Sequence, residues 1–357
     1  MREVKSHSFW VTVVIWMSLA SVAAAQQTEL RWYKGNTHTH TIDSDGDSAP
    51  DTVARWYREH DYQFLFITDH EYVTDPAPLN ALLGAKERFL LLPGQEITQW
   101  GDDPKRSSAH VNALFTHELI YPMGIRRCIG SGCGAYVPKE TPLESTFATN
   151  IAAVLAQGGI AQVNHPNYRW SVKPEDLYHL PDGTLLEIWN GQGHINDLGG
   201  EVAPGDVRPS AEGFWDILLS RGKRVWGVGS DDSHDFTEPR VNDASDAAPG
   251  QAWIVVRAPE LTAEAIKDAI QRGDFYASTG VELKDYQASP KQITIKMEEN
   301  QFQTKYRTQF VGKNGRLLQD STANPATYIV KGDEGYVRAR VIDSNGKMAW
   351  TQPVFVQ

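Results

Sequence analysis

The residues of this sequence that could do chemistry begin with two histidines, His38 and His40, in the segment Gly35 to Gly46. In an extended strand the side chains at positions i and i+2 point to the same side, so both imidazoles can face one point in space. Asp45 follows in a Ser-Asp-Gly turn that can fold its carboxylate back toward them. Because imidazole binds zinc, iron, nickel or copper and carboxylate binds harder ions such as manganese, the segment predicts part of a metal site.

Further candidate ligands recur downstream, most of them directly after a short apolar run. They are His70, Glu96, His110, His165, Asp232 and His234. His110 precedes its apolar run, which indicates a reversed or irregular strand. Together with the first three, these donors exceed what one four-coordinate ion needs, so the pattern predicts two or three ions that share a bridging carboxylate. The alternative is a metal-stabilised fold without turnover.

Two aspartates are adjacent in the last of these motifs, Asp231 and Asp232. The i, i+2 spacing from Asp232 to His234 favours Asp232 as the ligand, because residues with that spacing share a face of an extended chain.

Short apolar strands alternate with amphipathic helices over most of the chain. The predicted strands are 30–36, 63–67, 89–92, 111–115, 160–163, 185–189 and 225–229. One predicted helix starts at Pro50, and four others span 79–88, 143–157, 212–220 and 261–271. This alternation predicts an α/β architecture with a parallel sheet. The candidate ligands then lie at the carboxyl ends of the strands, where barrels and open α/β sheets place their active sites.

The pattern changes after about Val281. Alternating apolar positions at 293–297, 336–341 and 354–356 are separated by turn signals such as Asn314-Gly315 and Asn345-Gly346. Such a pattern is typical of antiparallel strands. The expected domains are therefore an α/β domain at 26–284, which carries the candidate metal ligands, and a small β-sandwich-like module at 285–357.

The first 25 residues have the features of a signal peptide. Arg2 and Lys5 give a positive start, an apolar run covers 9–19, and Ala23 to Ala25 offer a cleavage site. We expect export to the periplasm or the medium. An uncleaved anchor is the alternative, although the run is short for a membrane span. No second apolar run of spanning length follows, so no transmembrane span is expected after cleavage.

The composition narrows the class of partner. The formal net charge is −11 at pH 7. An acidic surface gains nothing from the release of phosphate counterions, so an extended nucleic-acid surface is disfavoured and a small-molecule substrate is expected.

Two cysteines, Cys128 and Cys133, flank a glycine-rich loop. In an exported protein a disulfide between them is the favoured interpretation, and two free thiols are the alternative.

The metal motifs resemble those of the PHP superfamily, named for polymerase and histidinol phosphatase. The resemblance covers about residues 32–280. The matching motifs are H-x-H with S-D-G at 38–46, T-D-H at 68–70, G-x-E at 94–96, a histidine before a strand at 110, N-H-P at 164–166 and, with one extra residue, S-D-x-H at 230–234.

The resemblance implies a distorted (β/α)7 barrel with a trinuclear metal centre of Zn, Mn or Fe. It implies a first ion held by His38, His40, Glu96 and Asp232. It implies a second ion that shares Glu96 with His110 and His165. It implies a third ion held by Asp45, His70 and His234.

The resemblance implies that the protein is an exported hydrolase in which a metal-bound hydroxide attacks the substrate. A phosphoesterase is the favoured class. A carbamate, amide or ester hydrolase and a non-catalytic metal-binding protein are the alternatives. Glu96, Asp232 and His194 are the catalytic candidates, and His194 could shuttle a proton. Arg106, Arg169 and Arg240 could clamp an anionic substrate; solvated surface arginines are the alternative.

Overall fold

The computed structural model describes residues 29–101, 108–123, 125–129, 132–138, 140–237, 247–298 and 304–356. The predicted signal peptide, Arg106 and Arg240 lie outside these ranges. In the described ranges no helix is long and apolar enough to cross a membrane.

The described residues form five α-helices. They are α1 Pro50–Glu59, α2 Pro76–Leu83, α3 Leu143–Ala156, α4 Ala211–Ser220 and α5 Ala263–Arg272. The second helix lies earlier in the chain than predicted, because Asp75 caps its first turn by accepting from the Ala77 N–H at 2.9 Å. It ends before Gly84, and a bridge between Ala85 and Phe89 then turns the chain.

Twenty-two strands lie within the same described ranges. The first fourteen are β1 Arg31–Asn36, β2 Phe64–Phe66, β3 Leu90–Leu92, β4 Gly94–Gly101, β5 Ser108–Leu114, β6 Ile125–Ile129, β7 Gly132–Val137, β8 Ile160–Val163, β9 Leu185–Asn190, β10 Gly200–Ala203, β11 Asp206–Arg208, β12 Trp226–Ser230, β13 Trp253–Ala258 and β14 Phe275–Ser278. The others are β15 Leu283–Ala288, β16 Gln292–Met297, β17 Tyr306–Gly312, β18 Arg316–Ser321, β19 Ala326–Ile329, β20 Tyr336–Asp343, β21 Met348–Thr351 and β22 Val354–Phe355.

Two large sheets carry the candidate ligands. One has the order β18-β17-β20-β21-β14-β13-β1-β2-β3, with β22 beside β20, and the other has the order β12-β9-β8-β5-β4-β7-β6. The strands β1, β2 and β3 are parallel, as are β8, β9 and β12. The predicted α/β architecture is confirmed. The strand β5 is antiparallel to both of its neighbours, as the position of His110 indicated.

The described strands do not close into the single predicted barrel. The chain passes directly from β3 to β4 through Pro93, which has no N–H to donate to a ladder. The two sheets instead meet through isolated parallel bridges, from Thr39 to Ser233 and from His70 to Glu96. Both bridges lie beside candidate ligands, so the gap between the sheets is where the metal motifs converge.

The helices pack against strands of the two large sheets. The last helix, α5, shows the pattern: Thr262 caps its N-terminus and Gly273 ends it in the left-handed conformation. Its buried face, formed by Ile266, Ala269 and Ile270, packs in the core below β13. Burial of each large apolar side chain stabilises the fold by about 1.5–3 kcal/mol, which fixes the sheets that carry the ligands.

The C-terminal strands continue the first sheet. Tyr276 in β14 pairs with Thr351 in β21, so the ladder runs without a break into β20 and β17. A separate three-stranded sheet, β15-β16-β19, shares an apolar core with these strands. The cysteines Cys128 and Cys133 are register partners in the β6–β7 pair, but their side chains lie outside the described part, so the disulfide stays a prediction.

A buried ion pair ties the C-terminal strands to α4. The Arg338 guanidinium is 1% exposed and donates to both carboxylate oxygens of Asp216 at 2.7 and 2.8 Å. We expect Asp216→Ala to lower the free energy of unfolding by about 3 kcal/mol, because the change removes one of the two carboxylates that compensate this buried cation and leaves it only Glu212. Urea denaturation would measure this loss. Lys284→Ala, which breaks an exposed pair with Glu298, should leave the midpoint nearly unchanged.

Candidate metal centre

Nine side chains reach the gap between the two sheets from six places in the chain. They follow β1 (His38, His40, Asp45), β2 (His70), β8 (His165) and β12 (Asp232, His234), or lie in β4 (Glu96) and β5 (His110). Within this set the structure forms several groups whose donor atoms lie within 4.8 Å of one another. The residues that converge are therefore the ones predicted from the sequence, and the structure shows which of them contact one another.

The first donor group comprises His38, His40, Glu96 and Asp232. The Nε2 atoms of both histidines lie 3.4 Å from Glu96 Oε2 and 3.2 Å from Asp232 Oδ1. Both Nε2 atoms are buried and have no hydrogen-bond partner among the described residues. An unpartnered buried nitrogen is costly, so the pattern indicates that these atoms serve another ligand.

The spacing of the first donor group fits a small divalent ion. Zinc bound tetrahedrally at about 2.0–2.1 Å from each donor places neighbouring donor atoms about 3.4 Å apart. The four distances from histidine to carboxylate in this group, 3.2 to 3.4 Å, match that value. The set of two imidazoles and two carboxylates is also chemically suited to zinc, iron or manganese.

The second donor group shares Glu96 through its other oxygen. Glu96 Oε1 lies 3.0 Å from His110 Nδ1 and 3.5 Å from His165 Nε2. Asn164 fixes this oxygen by donating from Nδ2 at 2.8 Å, and it also donates to Asn112. Because the two oxygens of Glu96 face different groups, this carboxylate is placed to bridge two ions.

The third donor group lies at the exposed side of the site. Asp45 Oδ1 is 3.3 Å from His234 Nε2, and Asp45 Oδ2 is 3.5 Å from His70 Nε2. His40 joins this group as well, with Nδ1 3.5 Å from Asp45 Oδ1 and its ring stacked on His234 at 4.1 Å. The resemblance assigned His40 to one ion alone, whereas the structure places it between two groups.

A tight turn holds Asp45 in place. Asp69 accepts hydrogen bonds from the Thr41 N–H at 2.7 Å, the Thr41 hydroxyl at 2.8 Å and the Ser44 hydroxyl at 2.7 Å. At Gly46 a Cβ would lie 2.8 Å from the carbonyl carbon of His40, so this position requires glycine. The Ser-Asp-Gly turn is thus folded against Asp69, a contact that the sequence analysis did not assign.

The two adjacent aspartates have different surroundings. Asp231 accepts from the backbone N–H groups of Gly250, Gln251 and Ala252 at 2.7–2.9 Å and from the Tyr57 hydroxyl at 2.8 Å. Its carboxylate is therefore occupied by the protein itself. Burial raises the pKa of Asp231 to about 6 despite these donors. The geometry places Asp232, not Asp231, in the first donor group.

The carboxylates of the site are held in the charged form. Burial favours the neutral acid of Glu96, but the imidazoles of His70, His38 and His110 outweigh burial and keep its pKa well below the usual range. The pKa of Asp232 is lowered in the same way, with His38 as the main opposing neighbour. Burial also lowers the pKa of His110 to about 4, which leaves this imidazole neutral at pH 7. For His38 and His70 the neighbouring carboxylates instead outweigh burial and raise the pKa. Charged carboxylates are the form that binds cations, and a bound cation would displace the protons of these two imidazoles.

A cavity of about 380 Å³ is lined by donors from all three groups. Trp100, Tyr168 and His194 also line it. Arg169 lies beside it and is exposed, with its guanidinium carbon 5.1 Å from the Tyr168 ring centre and 5.6 Å from the Trp100 ring centre. Arg169 and Trp170 both have left-handed backbone (φ 51° and 56°), an arrangement that non-glycine residues adopt mainly where surrounding contacts impose it.

The sequence analysis did not identify several polar residues that lie behind the ligands. Asn112, Asn164 and Glu187 are buried and hydrogen-bond to ligands or to each other. A signal for Glu187 existed, because it is the lone acid in the apolar run Leu185–Trp189. Asn112 carries a similar signal, because it interrupts the apolar run inside β5, whereas Asn164 directly follows β8, where polar residues are common.

No protein-family model matches this chain, and no curated protein matches it. Two crystal structures align with it at 16% identity. One is of a two-domain protein containing a predicted PHP-like metal-dependent phosphoesterase from Bacteroides vulgatus; the alignment covers 91% of this chain and 96% of that chain, with a TM-score of 0.47. The other is of a proposed metal-dependent phosphoesterase from Bifidobacterium adolescentis; it covers 57% of this chain and 89% of that chain, with a TM-score of 0.37. Likenesses this distant carry no argument, so the function depends on the geometry of the site.

Proposed function

We propose that this chain is a metal-dependent hydrolase of the PHP type, and that phosphoesters are its substrates. The observation that carries the proposal is Glu96, whose two oxygens face two separate histidine groups at 3.0–3.5 Å. A carboxylate shared in this way would set two ions side by side. Paired ions are the arrangement used by phosphatases and nucleases to hold both the attacking and the leaving oxygen.

The proposed ligand sets follow the three donor groups. The first ion would be held by His38, His40, Glu96 and Asp232. The second would be held by Glu96, His110 and His165. The third would be held by Asp45, His70 and His234. Divalent Zn, Mn or Fe at these positions would act as a Lewis acid that polarises the substrate oxygen. The ion would also lower the pKa of a water molecule to near neutrality.

The side chains around the cavity would bind and orient the substrate. The exposed guanidinium of Arg169 stands beside the opening, where it can pair with an anionic group of a small molecule. Tyr168 lies between the second donor group and His194, with ring centres 5.2 Å from His165 and 5.9 Å from His194. Tyr168 would therefore form one wall of the substrate site. Arg106 and Arg240 stay candidates for the same role on sequence grounds.

His194 is the candidate for moving a proton to the leaving group. It lines the cavity and belongs to none of the three donor groups. Burial lowers its pKa, and the neighbouring His165 and His234 lower it further against the opposing effect of Asp232. An imidazole with a lowered pKa is mainly neutral at pH 7, so His194 would first accept a proton and then pass it to the leaving group.

A metal-removal experiment tests the proposal. We expect the purified protein, loaded with manganese or zinc, to hydrolyse p-nitrophenyl phosphate or bis-p-nitrophenyl phosphate. Chelation should lower the rate by about 100-fold or more, because Lewis-acid stabilisation is worth several kcal/mol, and added metal should restore it. Rates would be followed by p-nitrophenolate absorbance, with elemental analysis of the same samples.

An aryl carbamate in the same panel separates the competing functions. Cleavage of the carbamate alone would replace the phosphoesterase assignment with a carbamate, amide or ester hydrolase. Bound metal with no turnover on any substrate would favour a non-catalytic metal-binding protein.

We also propose, on sequence grounds, that residues 1–25 are removed on export to the periplasm or the medium. In this proposal 26–284 form a distorted barrel-like hydrolase domain and 285–357 form an appended β module. Intact-mass measurement of the protein recovered after export should show a chain that begins at Gln26.

A further inference from the structure

Glu187 is a buried acid behind the metal centre that the proposed function leaves without a role. It lies in β9 between Leu186 and Ile188, and the residue is 0% exposed. Burying an ionisable group among apolar neighbours is costly unless other groups compensate. The contacts of its two oxygens show what compensates here.

One oxygen of Glu187 holds a ligand of the first donor group. His38 Nδ1 lies 2.7 Å from Oε1, and both side chains are 0% exposed. Ser230 Oγ donates to the same oxygen, and Gln162 Nε2 donates at 3.3 Å. Because the Glu187 carboxylate accepts from Nδ1, the proton of the neutral His38 imidazole stays on that nitrogen. The lone pair of Nε2 then faces the first donor group.

The other oxygen of Glu187 holds the chain at the second donor group. The backbone N–H of His165 donates to Oε2 at 2.6 Å. Asn190 Nδ2 donates to the same oxygen at 3.0 Å and to Asp232 Oδ2 at 3.1 Å. His165 has a left-handed backbone (φ 24°), so its conformation depends on contacts such as this one. Glu187 thus touches two ligands directly and a third through one amide.

We propose that Glu187 is the positioning residue that sets the metal affinity of the first and second donor groups. This inference assumes the metal binding of the proposed function. Neither oxygen of Glu187 contacts Asp45, His70 or His234 in the described residues, so the third donor group should be independent of it.

The substitution Glu187→Gln removes this role with little change in shape. The protein places donors around both oxygens, so an amide NH₂ would face donors in either orientation. We expect the affinity for the first and second ions to fall by about 10- to 100-fold, the usual cost of removing a carboxylate that orients a metal-binding histidine. Competition with a chromophoric chelator, together with elemental analysis after desalting, would measure affinity and ion count without any substrate.

Asp197→Asn provides the matched control. Asp197 accepts from the Asn190 N–H at 2.9 Å and so lies in the same network, but none of its described hydrogen bonds reaches a donor-group residue. Burial raises the pKa of Asp197 to about 8, so an amide changes little charge at pH 7. This variant should bind metal as the wild type does. Equal losses in both variants would mean general loosening of the core and would overturn the proposal.

Retention of wild-type affinity and ion count in Glu187→Gln would also overturn it. If that variant does not fold, Glu187→Asp tests the same point, because it keeps the charge but shortens the reach to His38. Weaker metal binding would then support the role, and unchanged binding would refute it. A wild type that binds metal but hydrolyses nothing defeats the phosphoesterase assignment and leaves this inference standing.

Discussion

Replacing Glu96 by glutamine should give a folded protein that has lost at least one bound ion and nearly all turnover. The carboxylate is 1% exposed and is shared by the first and second donor groups through different oxygens. An amide offers one oxygen and one NH₂, so it can serve one group but not both. We expect kcat/KM to fall by about 10³-fold or more, because the stabilisation lost with a paired-ion site is worth several kcal/mol.

The measurement joins elemental analysis with rates on the best substrate of the panel. Glu334→Gln is the control: Glu334 is also fully buried, but it accepts from the Lys331 and Gly332 N–H groups in the turn between β19 and β20, far along the chain from the metal motifs. It should lower thermal stability and leave the ion count unchanged. An unaltered ion count in Glu96→Gln would refute the bridging role.

The adjacent pair Asp231 and Asp232 should respond to the same chemical change in opposite ways. Asp232→Asn removes a charge that lies 3.2 Å from both His38 Nε2 and His40 Nε2, so we expect loss of the first ion and a fall in kcat/KM of about 100-fold or more. Its fold should persist, because an amide of nearly the same shape can still accept the hydrogen bond from Asn190 Nδ2. The ion count and the rate are the measurements.

Asp231→Asn should instead act on stability. Its carboxylate accepts three backbone N–H groups and the Tyr57 hydroxyl, and an amide NH₂ cannot accept them all. We expect the free energy of unfolding to fall by about 1–3 kcal/mol, with ion count and turnover retained when the protein is assayed well below its melting temperature. If Asp231→Asn lost the ion and Asp232→Asn did not, the two assignments would have to be exchanged.

The sequence by itself determined which residues are the candidates for the site. Ligand-type side chains that directly follow apolar runs can be recognised from the local sequence. The carboxyl ends of parallel strands share one edge of a sheet, so these side chains are expected to lie together. His38 and His40 could be paired because a strand repeats its side-chain direction every two residues. The choice of Asp232 over Asp231 likewise followed from its i, i+2 spacing to His234. Each of these inferences depends only on neighbours within a few positions.

The tertiary structure decided how those residues are shared. The position of His40 between two groups and the opposite directions of the two oxygens of Glu96 arise where separate sheets meet through single bridges. At the same place the described strands form two sheets and not one closed barrel, because pairing between distant strands cannot be read from local periodicity. Glu187 was overlooked for a related reason. The groups that compensate its burial are distant in the sequence: His38 is 149 positions away and Ser230 is 43 positions away. Contacts between distant segments are fixed by packing of the whole chain, so they became visible only when the chain was folded.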